Sequence, residues 1–156
     1  MLFAPPISPQ KPDESAIPFL RSNGIITTMS AISKRVYYHD TDSGGVVYYA
    51  NYLKYFEEGR TEYMRACGID IGELMQAKNV FFVVRHVEID YKAPARYGDE
   101  LTVETKVVRV KNVSMIFTQE IRRGGQLLVS AETVLVCINK EFHPTVIPED
   151  VARCLA

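Results

Sequence analysis

The sequence predicts an α+β domain in which a curved antiparallel sheet of about five strands wraps around one long helix. One stretch, residues 51–67, has apolar residues at the three- and four-residue spacing of an amphipathic helix. Between residues 80 and 138 the apolar period changes to two, which predicts long strands joined by tight turns. With 156 residues, 47% of them apolar, the chain is long enough for one substantial core. A sheet with a single long helix must bury its apolar face against that helix.

Composition excludes several classes of function. The formal net charge is -1, which gives no electrostatic reason to expect binding to nucleic acid or to an anionic membrane. No apolar run approaches the roughly 20 residues of a transmembrane helix. The three cysteines are widely spaced and match neither a zinc site nor a disulfide framework: Cys67, Cys137 and Cys154. We therefore expect a cytoplasmic protein without a metal centre or a transmembrane segment.

The first 29 residues are predicted to be an extension, followed by a single domain over residues 30–156. Prolines at five positions interrupt any helix or central strand there: Pro5, Pro6, Pro9, Pro12 and Pro18. No basic start precedes an apolar segment, so a secretory signal is not expected. Two interpretations remain open, a flexible tail and a start assigned too far upstream.

The first predicted elements are a strand over residues 33–38 and the long helix. Asn51 is a suitable N-cap, and Gly68 stands where a glycine commonly ends a helix. Gly59 falls in the middle of the helix, and we interpret it as a point where the helix closely approaches the sheet. It belongs to one helix face together with Tyr52, Phe56, Tyr63 and Cys67.

A meander of strands follows the helix. Residues 69–78 are a short helical or irregular connection. The Gly124-Gly125 pair is a strong hairpin signal. The predicted strands are residues 80–91, with a bend near Arg85-His86, and then 101–110, 113–121 and 127–138. Residues 149–155 are expected to form one or two final helical turns.

The segment between the first strand and the helix is the best candidate for chemistry. Asp40 and Asp42 precede Gly44-Gly45, and the helix begins about eight residues after Asp42. A carboxylate and a helix N-terminus can therefore meet at one point. The carboxylate could attack a carbonyl or activate water while free backbone N–H groups stabilise the oxyanion. From the residues alone, it is equally plausible that Asp42 only caps the glycine turn.

Specific runs of residues resemble the hotdog-fold acyl-CoA thioesterases. Within them the chain is most similar to the YbgC-type, Tol–Pal-associated branch, which is related to 4-hydroxybenzoyl-CoA thioesterase. The resemblance extends over about residues 35–138. It rests on Arg35-Val36-Tyr37-Tyr38-x-Asp40-Thr41-Asp42-x-Gly44-Gly45-Val46-Val47-Tyr48, on Tyr52, Glu57, Arg60, Thr61 and Glu62, on Phe82-Val83-Val84-Arg85, on Tyr91-x-Ala93-Pro94-Ala95-Arg96, and on residues 113–119.

The resemblance implies roles for three residues near the turn. Asp42 matches the catalytic aspartate, acting as nucleophile or as general base, and the residues do not separate these roles. The backbone N–H at Tyr49 matches the oxyanion donor. The branch usually has a histidine with a catalytic part at this position, so Tyr49 argues against a histidine-assisted mechanism. Tyr38 matches a tyrosine near the aspartate, where it would contact the carboxylate or the thioester, although a buried strand tyrosine is an equal alternative.

The resemblance also implies a substrate-binding surface and an assembly. Arg109 and Lys111 match a cationic patch that contacts the coenzyme A phosphates. Glu57 is a reserve nucleophile, more simply interpreted as a buried ion pair with Arg60. Coenzyme A is part of the substrate, water is the co-substrate, and no cofactor is expected. Family members form homodimers and often homotetramers with active sites at the subunit interface.

The same fold allows two other functions. A dehydratase needs a histidine placed beside a helix carboxylate, and the sequence lacks that pair. A non-catalytic acyl-CoA-binding protein, or an envelope-associated scaffold with a Tol–Pal partner, is the main alternative, because the branch's usual histidine is replaced by Tyr49.

Overall fold

The computed structural model describes residues 29–155, which form a five-stranded antiparallel sheet packed around one long helix. The strands are β1 (Met29–Arg35), β2 (Val80–Tyr91), β3 (Glu100–Val110), β4 (Ser114–Arg123) and β5 (Gln126–Asn139), and the helices are α1 (Asn51–Ala66), α2 (Ile71–Lys78) and α3 (Glu149–Leu155). The strand order is β1-β3-β4-β5-β2, so β1 and β2 are the edges. The predicted extension lies outside the described residues except for Met29, which begins β1.

The first strand lies earlier in the chain than predicted. It covers residues 29–35 instead of 33–38, pairing Met29 with Lys106 at one end and Arg35 with Glu100 at the other. A short 3-10 helix, Tyr38–Asp40, takes the place of its predicted end. There the Asp40 carboxylate accepts a hydrogen bond from the Tyr37 N–H at 2.8 Å, which turns the chain out of the sheet.

The long helix buries the stripe that its periodicity predicts. Tyr52, Phe56, Gly59 and Tyr63 are all buried, while Cys67 is only partly so. Two core clusters lie along this stripe. One surrounds Tyr52 and Phe56, and the other surrounds Tyr63 and includes residues of α2 and α3. Within residues 29–155, none of the helices has the length and apolar character needed to cross a bilayer.

The closest contact between helix and sheet is at Gly59. A Cβ atom on this residue would lie 2.7 Å from Thr105 Oγ1 and 3.0 Å from Val103 Cγ1. The buried Gln119 side chain fixes the same point, because its Nε2 donates to the Phe56 carbonyl at 2.8 Å and to Thr105 Oγ1 at 2.9 Å. Any side chain at position 59 would separate α1 from β3 and strain these bonds. This confirms the close-approach interpretation of Gly59.

The remaining sheet features match the periodicity closely. The bend expected in β2 is a register shift between Val84 and His86. A second shift lies in β3 between Val107 and Arg109. The β4–β5 hairpin turns at Gly124, whose φ of 56° suits glycine. The final helical turns form α3, which buries Val151 and Leu155.

We predict that Gly59→Ala destabilises the protein by about 1–3 kcal/mol, the usual cost of overpacking. The added methyl group must displace Thr105 and Gln119, and this outweighs the gain of about 1 kcal/mol in helix propensity. Urea denaturation followed by circular dichroism measures the change. Gly125→Ala is the matched control, because a Cβ atom added there would have no neighbour within 4 Å, and its free energy of unfolding should change by less than about 0.5 kcal/mol. An equally stable Gly59→Ala protein would contradict the close contact.

Candidate active site

A tight hairpin joins the first strand to α1 and carries Asp42. Thr41 and Val47 form an isolated antiparallel bridge. The Asp42 N–H donates to the Val46 carbonyl at 2.9 Å, and the Gly45 N–H donates back to the Asp42 carbonyl at 3.0 Å. Gly45 has a φ of 72°, which the turn requires and which glycine adopts without strain. The hairpin therefore places Asp42 beside the segment that enters the helix.

The Asp42 carboxylate is exposed and held by its own turn. Its Oδ1 atom accepts a hydrogen bond from the Gly44 N–H at 2.7 Å. The other oxygen makes no hydrogen bond within residues 29–155, so it is available to a ligand or to water. The arrangement fixes the direction of a reactive carboxylate without using both of its oxygens.

Asp40 is a structural residue. It is 6% exposed, its carboxylate accepts from the Tyr37 N–H, and its carbonyl accepts from the Tyr48 N–H at 2.9 Å. Burial and the neighbouring Asp40 charge raise the pKa of Tyr55. These contacts tie the start of the hairpin to its end and to α1.

The N-terminus of α1 has no side-chain cap. Ala50, not Asn51, occupies the N-cap position, so the predicted cap is wrong. Asn51 instead donates from Nδ2 to the Asp40 carbonyl at 2.8 Å, which anchors the helix to the hairpin. The N–H groups of Tyr49 and Ala50 have no hydrogen-bond partner within residues 29–155. The positive end of the helix is therefore free to bind an oxyanion.

Tyrosine side chains surround this helix terminus. Tyr49 is 61% exposed, and its carbonyl accepts from Tyr91 Oη at 3.1 Å. The hydrogen bond and the charge interaction with the Tyr49 side chain raise the pKa of Tyr48. A groove of about 300 Å³ opens here, lined by Val47, Tyr49, Tyr52, Tyr91, Lys92, Ala93 and Pro94.

Sequence reasoning did not select Tyr48 or Tyr91 as site residues. Tyr48 lies within the hairpin motif, and its position there is the sequence signal that could have identified it as a site residue. Tyr91 is the last residue of β2, about 40 positions from the motif, and reaches it only through the fold. Nothing in the local sequence connects the two.

Two other predicted site residues point elsewhere. Tyr38 is 73% exposed and stacks on Tyr97 with ring centroids 3.8 Å apart, and it makes no hydrogen bond with Asp42. Glu57 is exposed and accepts from Thr61 Oγ1 at 2.8 Å. The expected Glu57–Arg60 ion pair is not formed, because the Arg60 guanidinium binds Gln119 instead.

The cations proposed for coenzyme A lie far from Asp42 within one chain. The Asp42 hairpin adjoins the start of β3, since the Val36 N–H bonds the Asp99 carbonyl. Arg109 and Lys111 lie at the other end of that strand, about 30 Å away at ~3.3 Å per residue. Both are exposed and unpaired within residues 29–155, whereas Arg122 and Arg123 form ion pairs. That part of the chain also contains no cluster of three or more residues suited to a metal.

The chain is similar in sequence and in structure to known thioesterases. A family model described as the thioesterase superfamily matches residues 44–130. The acyl-CoA thioesterase YbgC of Haemophilus influenzae is 40% identical over 118 residues, covering 75% of this chain and 87% of that protein. The structure of a probable thioesterase from Bartonella henselae superposes with a TM-score of 0.75 at 37% identity, covering 78% of this chain and 100% of that chain. A 1,4-dihydroxy-2-naphthoyl-CoA thioesterase from Synechocystis has a TM-score of 0.76 at 25% identity, covering 82% and 96%.

We predict that Asn51→Ala lowers the free energy of unfolding by about 1 kcal/mol, the net value of a typical hydrogen bond. The Asp40 carbonyl keeps its bond from the Tyr48 N–H, so the loss is limited to one interaction. Thermal unfolding by calorimetry measures it. Asn112→Ala is the matched control, because its exposed side chain makes no hydrogen bond within residues 29–155. Equal effects of the two substitutions would contradict the anchoring role of Asn51.

Proposed function

The chain belongs to the thioesterase superfamily, and on that basis we propose that it hydrolyses an acyl-CoA thioester to a free acid and coenzyme A. It is a thioester hydrolase with the hotdog fold, which confirms the resemblance read from its sequence. Water is the co-substrate, and no cofactor is consumed.

One observation carries the proposed site. The hairpin that holds Asp42 leads directly into an uncapped helix, and the N–H groups of Tyr49 and Ala50, immediately before its first turn, are unbonded within residues 29–155. A thioester carbonyl placed on those N–H groups would present its carbon toward the hairpin. Such preorganised donors are commonly worth about 2.7–4 kcal/mol in acyl transfer.

The chemistry follows from that placement. With Asp42 as general base, the carboxylate takes a proton from water, the water oxygen bonds to the carbonyl carbon, and the C–S bond breaks. The proton then passes to the departing thiolate. With Asp42 as nucleophile, its carboxylate oxygen bonds to the carbonyl carbon and the C–S bond breaks, which gives a mixed anhydride and the coenzyme A thiolate. Water then hydrolyses the anhydride, which releases the acid, restores Asp42 and supplies the proton that the thiolate takes up. In both cases backbone N–H groups stabilise the oxyanion, so the Tyr49 side chain serves chiefly to line the groove at the start of α1.

An oligomer completes the proposed site. β2 is a twelve-residue edge strand with exposed Val84, which suits pairing with a second copy. Arg109 and Lys111 lie too far from Asp42 to hold the same coenzyme A molecule within one chain. We therefore assign these cations to a site on a neighbouring subunit, in a homodimer or a homotetramer.

The proposed location is the cytoplasm. Cys67, Cys137 and Cys154 are free thiols, which a reducing compartment maintains. A scaffold role with a Tol–Pal or other envelope partner is the second candidate. Binding of acyl-CoA without turnover would favour it.

We predict that Asp42→Asn lowers kcat by at least about 100-fold on whichever acyl-CoA is turned over, because it removes the base or nucleophile. Free-thiol release from short, long and aromatic acyl-CoA substrates measures this. Asp70→Asn is the matched control, because that carboxylate only caps α2 by accepting from the Glu73 N–H at 3.0 Å. Retained turnover in Asp42→Asn would move the chemistry to another carboxylate, and Glu57→Gln would be assayed next.

We predict that the double substitution Arg109→Gln and Lys111→Gln raises KM for an acyl-CoA by about tenfold. It should leave KM unchanged for the same acyl group on N-acetylcysteamine, which lacks the nucleotide phosphates. Steady-state kinetics on both thioesters measures the difference. Arg153→Gln is the control, since Arg153 is exposed and pairs with Glu149 on α3. Equal effects on both thioesters would contradict phosphate binding by these cations.

A further inference from the structure

A second groove lies between α1 and the β2–β5 side of the sheet. Its volume is about 640 Å³, within the usual range of small-molecule sites. Leu53 on the helix and Val84 and Val87 on β2 form apolar walls, and the polar lining consists of Lys54, Glu57, Glu58, Arg60 and Thr133. The end of this groove near Arg60 is polar, and the acyl chemistry described above does not use it.

Arg60 lies at that polar end with its charge only partly satisfied. The residue is 8% exposed, and its Nη1 donates to Gln119 Oε1 at 2.8 Å. The other N–H groups of the guanidinium have no hydrogen-bond partner within residues 29–155. Burial lowers the pKa of Arg60, and the charge of Glu57, which lines the same groove and accepts from Thr61 Oγ1, opposes this shift. The Arg60 N–H groups that Gln119 does not use remain available donors, so an anion that reaches them would gain charge-assisted hydrogen bonds.

Thr133 adds a second unsatisfied group to the same groove. It is 1% exposed, and its Oγ1 atom has no hydrogen-bond partner within residues 29–155. It lies on β5 directly opposite Val87 of β2 and lines the groove together with Arg60. Buried hydroxyls without a partner are uncommon and indicate a missing ligand or water.

We propose that Arg60 and Thr133 bind a carboxylate at the distal end of the acyl group, so that the enzyme prefers acyl-CoA thioesters of dicarboxylic acids. The inference rests on the proposed thioesterase function and names its substrate class. Guanidinium N–H groups and a hydroxyl are all donors, and a carboxylate accepts from several donors at once. Gln119 holds the guanidinium in place through its own bonds to Phe56 and Thr105, so the site is preorganised.

The position of the groove favours a substrate carboxylate over one from a second copy of the chain. The groove begins at Leu53, within the first turn of α1, where the helix terminus is proposed to hold the thioester carbonyl. From Leu53 to Arg60 the helix rises about 10 Å, which matches the length of a medium acyl chain. The apolar walls would contact its methylene groups, and the polar end would contact the second carboxylate.

The experiment compares matched thioesters on the full-length protein. We measure kcat/KM for adipyl-, suberyl- and sebacyl-CoA against hexanoyl-, octanoyl- and decanoyl-CoA. At one chain length or more, the wild-type protein should prefer the dicarboxylic member. Arg60→Met should reduce that preference by about tenfold or more, as expected for a lost charge-assisted hydrogen bond. Thr133→Val, which keeps the side-chain shape, should reduce it several-fold.

One variant serves as the control, and two results would contradict the inference. Arg65→Met removes an exposed cation of α1 that pairs with Glu62, and the preference should stay unchanged. Equal losses on both series in Arg60→Met would assign Arg60 a purely structural role. If Arg60→Met changes the oligomer mass measured by light scattering but retains the preference for dicarboxylic thioesters, the carboxylate that binds Arg60 belongs to a second copy of the chain. Either result overturns the inference.

A separate readout covers failure of the proposed function itself. If the wild-type protein hydrolyses none of the thioesters, the thioesterase proposal fails, and binding of free suberate still tests the groove. Suberate should raise Tm relative to octanoate in the wild-type protein and lose that advantage in Thr133→Val. No difference between suberate and octanoate would overturn the inference.

Discussion

The structure depends on the close contact between α1 and the sheet at Gly59. A single hydrogen atom in place of a side chain lets the helix backbone approach Thr105 and Gln119, which then bond to each other and, through Gln119, to the Phe56 carbonyl. This contact fixes the height of the helix above the sheet. It also fixes the helix along its axis, and therefore the position of its N-terminus about two turns away. The geometry of the proposed site at that terminus therefore depends on a contact that takes no part in the proposed chemistry.

The hairpin before the helix supplies the second constraint. Its bridge between Thr41 and Val47 closes a short loop, and Asp40 and Asn51 join that loop to the first turn of α1. The two aspartates of the motif have therefore separated into different roles. Asp40 is buried and satisfied by backbone donors, while Asp42 is exposed with one oxygen free of any bond within residues 29–155. Two carboxylates two residues apart therefore differ in both burial and hydrogen bonding.

Much of this arrangement could be predicted from the sequence, because it is carried by local patterns. The period of 3.6 across residues 51–67 and the period of two after residue 80 determine the helix, the four strands that follow it and the bend at Arg85. The hairpin and the role of Gly59 follow from residue types with few conformational alternatives.

The errors have physical causes that local patterns do not contain. The first strand lies earlier than its residue types predict, because it pairs with β3 as far as Met29 and only the tertiary pairing decides where it ends. Asn51 has a residue type that suits a helix cap, but the nearby Asp40 carbonyl accepts from its side chain instead. The helical spacing predicts an Arg60–Glu57 pair, whereas the fold buries Arg60 against Gln119. Tyr91 reaches the site from a distant strand end.

The missing helix cap lowers the stability of α1 but leaves its N-terminus able to bind a substrate oxygen. A serine or aspartate at Ala50 would accept a hydrogen bond from the N–H of Tyr52 or Leu53 and commonly stabilises a helix by about 0.5–2 kcal/mol. It would also place a side-chain oxygen beside the N–H groups of Tyr49 and Ala50, where the substrate oxygen is proposed to bind. Selection for stability alone would close this terminus, as a consensus or design procedure would tend to do. The unbonded N–H groups at the open helix end are therefore donors for a molecule that the chain does not contain.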